Sequence, residues 1–206
     1  MRAEHLAFPF RLLLRPFAGY DDLKHEQAGR LSVALGLVLL LVLVAILKRQ
    51  YAGFLFNFTD PRQLNSWDEL KLIALPFLVW CVANWSLTTL MDGEGTFREI
   101  VTATGYAVTP LIVVYAPQIA LSHLLTLQEG AFYYLLQSLA GAWFVWLLFI
   151  GTMTVHQYSV TKTIVTMALT LVVIGIIIFL GVLFFSLIQQ MIVFVQSLYQ
   201  ELSFRM

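Results

Sequence analysis

Five long stretches of this chain carry no charged residue, and the charges between them act as punctuation. Arg30 and Lys48 bracket 17 uncharged residues, Lys71 and Asp92 bracket 20, and Glu99 and Glu129 bracket 29. Glu129 and Lys162 bracket 32, and Lys162 and Glu201 bracket 38. The hydrocarbon core of a bilayer takes about 20 residues of α-helix, so each stretch holds one crossing and none holds two with a turn. In hydrocarbon every backbone N–H and C=O must find its partner within the segment, which makes each crossing helical. Composition agrees: 60% of the residues are apolar, 12% are charged and mean hydropathy is +0.83. A soluble domain is about 45–50% apolar and about 25% charged. The expectation is an all-α, polytopic membrane protein, a single transmembrane domain over 1–206. Its bundle has five helices near 31–47, 70–91, 100–125, 132–155 and 162–188.

The two ends of the chain need separate accounts. Phe8-Pro-Phe-Arg-Leu-Leu-Leu-Arg-Pro-Phe17 is apolar, but prolines bracket it and Arg11 and Arg15 interrupt it. It reads as part of an interfacial segment, 8–29, with its arginines near lipid phosphates. No Ala-x-Ala-like site follows the first apolar run, which reads as a retained helix and not a cleaved signal. The fifth run is too long for one crossing, since 38 residues of helix reach ~57 Å. Its surplus, 189–205, contains Gln189, Gln190, Gln196 and Gln200. It reads as a helix continuing beyond the membrane, lying in the interface or standing on a partner.

Local signals mark where helices begin. Ser66 to Glu69, Thr96 to Glu99 and Thr126 to Glu129 all fit Ser/Thr-x-x-Glu, in which hydroxyl and carboxylate cap orphan amide groups reciprocally. Lys and Arg counts orient the bundle. With the N-terminus inside, Arg2, Arg11, Arg15, Lys24, Arg30, Arg98 and Lys162 face the cytoplasm. Lys48, Arg49, Arg62, Lys71 and Arg205 then face outward. The reading is N-terminus cytoplasmic and C-terminus extracellular.

Polar groups at membrane depth are few. Asn84 and Thr88 sit one turn apart in the second span and read as interhelical hydrogen-bonding groups. His123 and His156 read as structural histidines near the ends of the third and fourth spans. Trp80 and Trp85 lie deeper than an aromatic belt and are expected to fill the bundle interior. Pro110 and Pro117 kink the third span by freeing the carbonyls of Tyr106 and Val113, and Thr109 is placed to satisfy one locally. Gly141, Gly151, Gly175 and Gly181, with Ser138-x-x-x-Ala142, read as positions of close helix approach. Cys81, the lone cysteine, reads as a small buried hydrophobe.

Catalytic and cofactor motifs are absent. There is no His-Glu-x-x-His, no Gly-x-Ser-x-Gly and no Cys-x-x-Cys. Gly93-Glu94-Gly95 lacks the Lys and Ser/Thr of a phosphate loop, and Asp92 with Glu94 reads as a solvated acidic turn. Asn57-Phe58-Thr59 matches the glycosylation sequon, a frequent chance match. Formal charge is zero, which gives no pull toward nucleic acid. The reading is neither an enzyme nor a cofactor protein.

Several segments together resemble the Yip family of membrane proteins (Ypt-interacting proteins), in particular its bacterial branch. They are Arg15-Pro16 with Tyr20-Asp-Asp-Leu-Lys24, Trp80-Cys-Val-Ala-Asn-Trp-Ser-Leu87 and Met91-Asp-Gly-Glu-Gly-Thr-Phe-Arg-Glu-Ile100. Tyr106-Ala-Val-Thr-Pro110, His156-Gln-Tyr-Ser159 with Lys162-Thr163, and Tyr199-Gln-Glu-Leu-Ser-Phe-Arg205 complete the series. The resemblance implies a five-helix bundle with its N-terminus in the cytoplasm. Eukaryotic relatives bind small GTPases in vesicle traffic, whereas bacterial relatives look like accessory subunits, some associated with ABC transporters.

The expected function is a non-catalytic accessory or scaffold protein of the bacterial cytoplasmic membrane, assisting a transporter complex of ABC type. Asp92, Gly93, Glu94, Gly95, Arg98 and Glu99, with Glu201 and Arg205 at the other end, are the expected contact residues. The expected partners are membrane lipid and ABC transporter subunits, with homo-oligomerisation left open. Two other readings stand beside it. One is a small-solute transporter or channel, built on the kinked third span with Thr102, Thr104, Thr109, Gln118 and Ser122. The other is a membrane sensor or lipid-interacting protein using the basic N-terminal segment.

Overall fold

The computed structural model describes residues 2–26, 28–57 and 65–205, and its regular structure there is helical throughout. Phe58 and Thr59 of the sequon and Arg62 lie outside the described residues. Two short N-terminal helices, α1 (Arg2–Leu14) and α2 (Pro16–His25), precede α3 (Leu31–Tyr51) and α4 (Ser66–Leu90). The third span is made of α5 (Phe97–Ala107) and α6 (Thr109–Leu121). After one 3-10 turn (Leu127–Glu129) come α7 (Gly130–His156) and α8 (Val160–Arg205). Five helical segments are long and apolar enough to cross a membrane: Leu31–Tyr51, Ser66–Leu90, Phe97–Leu121, Leu127–His156 and Val160–Glu201. The chain is therefore a multi-pass membrane protein of five spans. One end of the bundle carries the Asp92–Gly95 turn (the turn end), and the other is where α8 leaves it (the tail end).

The third span is the hub. α5 packs on α3, α4 and α7, and α6 packs on α3 and α7. Every residue from Ile100 to Pro110 is buried. The helix breaks at Val108, because Pro110 has no N–H for the carbonyl of Tyr106. Thr109 repairs the loss: its hydroxyl donates to Tyr106 O at 2.6 Å. Pro117 lies within α6 and is exposed. Close packing at the hub depends on Gly105, where a Cβ would come within 2.8 Å of Ala34 Cβ and 2.9 Å of Ala34 O.

The N-terminal segment does more than lie at an interface. Phe8, Leu12, Tyr20 and Leu23 belong to the buried core. Tyr20 is wholly buried, donates to Ala103 O at 3.3 Å and lies against Gly151. Burial without a charged neighbour pushes its phenol pKa up. An ion pair between Arg11 and Asp22 at 2.8 Å ties α1 to α2.

Three local expectations are corrected. Ser66 does not start a capping box: Asn65 caps α4 by accepting from Trp67 N, and the Glu69 carboxylate pairs with Arg49 of α3. Glu69 is buried there, so a tertiary partner has outcompeted the local cap. Trp85 is 45% exposed with its ring against Phe97 and does not fill the interior, whereas Trp80, half-buried, packs against the core. Of the four glycines read as packing positions, only Gly151 meets a neighbour. A Cβ at Gly141, Gly175 or Gly181 would touch nothing within 4 Å, so no neighbouring helix packs closely against those positions. Cys81 is fully buried.

Candidate functional site

Two helices end side by side at the turn end, and both end the same way. In α4 the last turn closes when Gly93 N–H donates to Thr88 O at 2.8 Å, with Asp92 between them at φ 53. In α7, Tyr158 N–H donates to Met153 O at 2.9 Å, with Gln157 at φ 53. Both are Schellman closures, in which a left-handed residue turns the chain so that a later N–H reaches an orphan carbonyl. Aspartate tolerates that backbone better than most side chains.

The residues flanking the second closure hold the first. Tyr158 donates from its hydroxyl to Met91 O at 2.9 Å, across from α4's end. His156 stacks on the Tyr158 ring with centroids 5.3 Å apart, and Lys162 Nζ sits 4.2 Å from the same ring's centroid. Burial and then the negative charge of Asp92 push the Tyr158 pKa up. Gly95 N–H donates to His156 Nδ1 at 3.3 Å. Nδ1 is therefore the acceptor nitrogen, and Nε2 carries the proton that it gives to Asn84 Oδ1 at 3.1 Å. Asn84 in turn donates from Nδ2 to Thr170 Oγ1 at 3.5 Å, and Thr170 passes its proton to Thr166 O at 2.8 Å. One hydrogen-bonded chain thus joins the turn, α7, α4 and α8.

This geometry explains the alternation in Asp92-Gly93-Glu94-Gly95. A Cβ on Gly93 would lie 2.7 Å from both His156 Nδ1 and the Tyr158 hydroxyl, and one on Gly95 would lie 2.6 Å from His156 Cε1. The glycines press inward, while Asp92 and Glu94 are exposed. The far side of the turn is clamped by α5 and α2. Thr96 and Glu99 form a complete capping box, with Thr96 N donating to Glu99 Oε2 at 2.8 Å. Lys24 reaches Glu99 Oε2 and Glu94 O, each at 3.3 Å. Arg98, on the first turn of α5, is exposed.

The other candidate residues fall elsewhere. Thr88 is buried, and its hydroxyl donates back to Asn84 O at 2.7 Å within its own helix. Glu201 is on the exposed distal part of α8, and the Arg205 side chain lies outside the described residues. Thr102 and Ser122 donate to carbonyls three or four residues back, and Thr109 donates across the break to Tyr106 O. At the tail end, the Thr126–Glu129 box forms as well. His123, exposed, meets Tyr51 O at 2.7 Å. Sequence reading missed the cluster where Lys48 Nζ reaches Gln118 Oε1 at 3.1 Å and Gln137 Oε1 at 3.4 Å, over the rings of Tyr115 and Tyr133. Gln118 completes it by donating from Nε2 to Tyr133 O at 3.0 Å.

At the turn end His156 is buried and occupied on both nitrogens, and what remains exposed is a stiff acidic turn with one arginine. A family model described as the Yip1 domain matches residues 10–183. No curated protein and no solved structure matches the chain.

Proposed function

Because the chain belongs to the Yip1 domain family of membrane proteins, we propose that it is a non-catalytic membrane scaffold or accessory subunit that binds a membrane transporter complex of ABC type. In this reading it sits in the bacterial cytoplasmic membrane with the turn end and the N-terminus on the cytoplasmic side. The observation that carries it is the alternation at the turn. Gly93 and Gly95 are locked against His156, and Asp92 and Glu94 are held outward on a surface already fixed in shape. A surface of that kind suits recognition, because little ordering is left to do on binding. Exposed charges there steer and select a basic partner more than they add affinity.

The solute-path reading is less well supported. Within the third span the hydroxyls of Thr102, Thr109 and Ser122 turn to its own carbonyls, Thr104 is bonded to Cys81, and Gln118 is engaged by Lys48 and Tyr133.

The test is purification in mild detergent from native membranes. Wild-type protein is expected to bring down transporter subunits in fixed ratio. Asp92→Asn with Glu94→Gln keeps the backbone, since asparagine also accepts the left-handed conformation, and is expected to lose them. Repeated recovery of the chain with no membrane partner would overturn the proposal.

A further inference from the structure

A cavity of about 450 Å³ opens at the turn end, between the linker that joins α2 to α3 and the first turns of α5. That is within the range of small-ligand sites, roughly 300–1,000 Å³. Gly29 and Arg30 of the linker line it, with Arg98 and Glu99 of α5. The carboxylate among these is already committed. Glu99 Oε2 accepts from Thr96 N at 2.8 Å and from Lys24 Nζ at 3.3 Å. The arginines are not. Among the described residues the ion pairs use Arg11, Lys24, His25, Arg49 and Lys71, and neither Arg30 nor Arg98 takes part in one. With Lys24 balancing Glu99, the cavity carries two uncompensated positive charges.

Both arginines stand on fixed backbone. Arg30 N–H donates to the Tyr106 hydroxyl at 3.2 Å, which ties the linker to the buried third span. Gly29 lies so close that a Cβ there would come within 2.9 Å of Leu23 Cγ and 3.3 Å of Thr102 Cγ2. On the other side, the capping box at Thr96 sets the first turn of α5, and Arg98 O accepts from the Thr102 hydroxyl at 2.7 Å. Two spans thus bring one guanidinium each to the same cavity. No side chain caps the start of α3 beside Arg30, and the backbone N–H groups of a first turn add to the field for an anion.

Chemistry and depth together decide the occupant. Guanidinium groups are planar forks that match the oxygens of a phosphate. Arg30 directly precedes Leu31, the first residue of the first span, and Arg98 is the second residue of the third span. Both therefore stand where a helix enters the membrane, at the level of lipid phosphates, where basic side chains meet anionic headgroups. A dissolved anion reaches that level only at its bulk concentration. A phospholipid is held there by its own chains, which raises its effective concentration at the cavity. Net charge narrows the choice further. A zwitterionic headgroup brings an ammonium group toward two unbalanced arginines, whereas an anionic one brings negative charge alone.

We propose that the cavity between the α2–α3 linker and α5 binds the phosphate of an anionic phospholipid, held by Arg30 and Arg98. The site is separate from the basic N-terminal segment, where Arg11 is already paired with Asp22. It goes beyond the scaffold reading and does not depend on it, because Asp92 and Glu94 take no part.

Native mass spectrometry of the full chain, released from nanodiscs of equal phosphatidylglycerol and phosphatidylcholine, reads which lipid each copy retains. Wild-type protein is expected to retain phosphatidylglycerol in preference. Arg30→Gln or Arg98→Gln alone should cut that preference about fivefold, and the two together roughly 25-fold, the effect of one and two basic side chains at an anionic lipid surface. Both side chains are exposed and unpaired, so helical content and elution volume should not change. Arg15→Gln, exposed on the N-terminal segment, is expected to change the preference less than about twofold, because it lies outside the cavity. A second measurement needs no variant: the thermal midpoint in detergent should rise with added phosphatidylglycerol and not with inorganic phosphate at the same concentration. Equal retention of the two lipids, an undiminished preference in the double variant, or an equal loss in Arg15→Gln would each overturn the proposal. So would an equal thermal rise with inorganic phosphate, or an acidic protein recovered with wild type and lost from the double variant while lipid retention stays the same.

Discussion

The third and fifth spans are built from opposite materials and occupy opposite places. In Phe97–Leu121, 61% of the most apolar stretch is buried inside the bundle, and in Val160–Glu201 none of it is. Yet the fifth span is the more apolar and the third carries threonines, glycine, alanine and glutamine. In water the apolar helix would take the centre. In a bilayer lipid is as apolar as leucine, so burying such side chains gains little, and small residues that let backbones approach decide what goes inside. The third span is broken, small and central, while the fifth is long, greasy and peripheral.

The largest effect expected from this contrast comes from filling the hub. Gly105→Leu drives a side chain into Ala34 of α3 and is expected to cost about 3 kcal/mol or more by overpacking. It should appear as loss of monodisperse protein on detergent chromatography. Normal yield and melting temperature would mean that α3 and α5 do not pack as closely as described. His156→Ala comes next. It strips partners from Gly95 N–H and Asn84 Oδ1, each worth about 1–3 kcal/mol when left unsatisfied, and should lower the thermal midpoint. Hydrogen exchange should also rise in the Asp92–Gly95 turn.

A smaller change is expected where the two kinds of span are joined. Thr170→Val removes the acceptor that α8 offers to Asn84, and an interhelical bond of this type averages about 0.6 kcal/mol. A loss several times larger would show that the fifth span is held by polar contacts more than by apolar packing. The smallest effect has the opposite sign. Gly175→Ala meets nothing within 4 Å and should stabilise the helix by roughly 0.5–1 kcal/mol. Destabilisation there would show that this face of α8 is covered.

The five spans were legible because charge is so costly in hydrocarbon that Lys48, Lys71, Asp92, Glu99, Glu129 and Lys162 had to mark helix ends. The boxes at Thr96 and Thr126 were legible because capping is local, with all the chemistry inside four residues. The Ser66 motif misled for the complementary reason. Its glutamate is taken by Arg49, 20 residues away, and no local pattern records such competition. Burial order was hidden too, because hydropathy ranks helices backwards for this purpose: Trp85 faces outward and Thr104 inward. The turn was visible as Asp-Gly-Glu-Gly, and its alternating glycines hinted at a close neighbour. That the neighbour is His156, 61 residues on, could only come from three dimensions.

The paired left-handed closures of α4 and α7 have a thermodynamic consequence. A loop that is free before binding must be frozen by its partner, and each ordered residue costs about 1–2 kcal/mol of backbone entropy. Here folding has already met that cost, through Gly93, Gly95, Tyr158 and the Lys24 clamp. A partner at this surface would bind a fixed relief, its dissociation rate governed by charge and shape with little contribution from reordering. Substituting Gly93 or Gly95 would then weaken association by unsettling the turn that holds Asp92 and Glu94 outward.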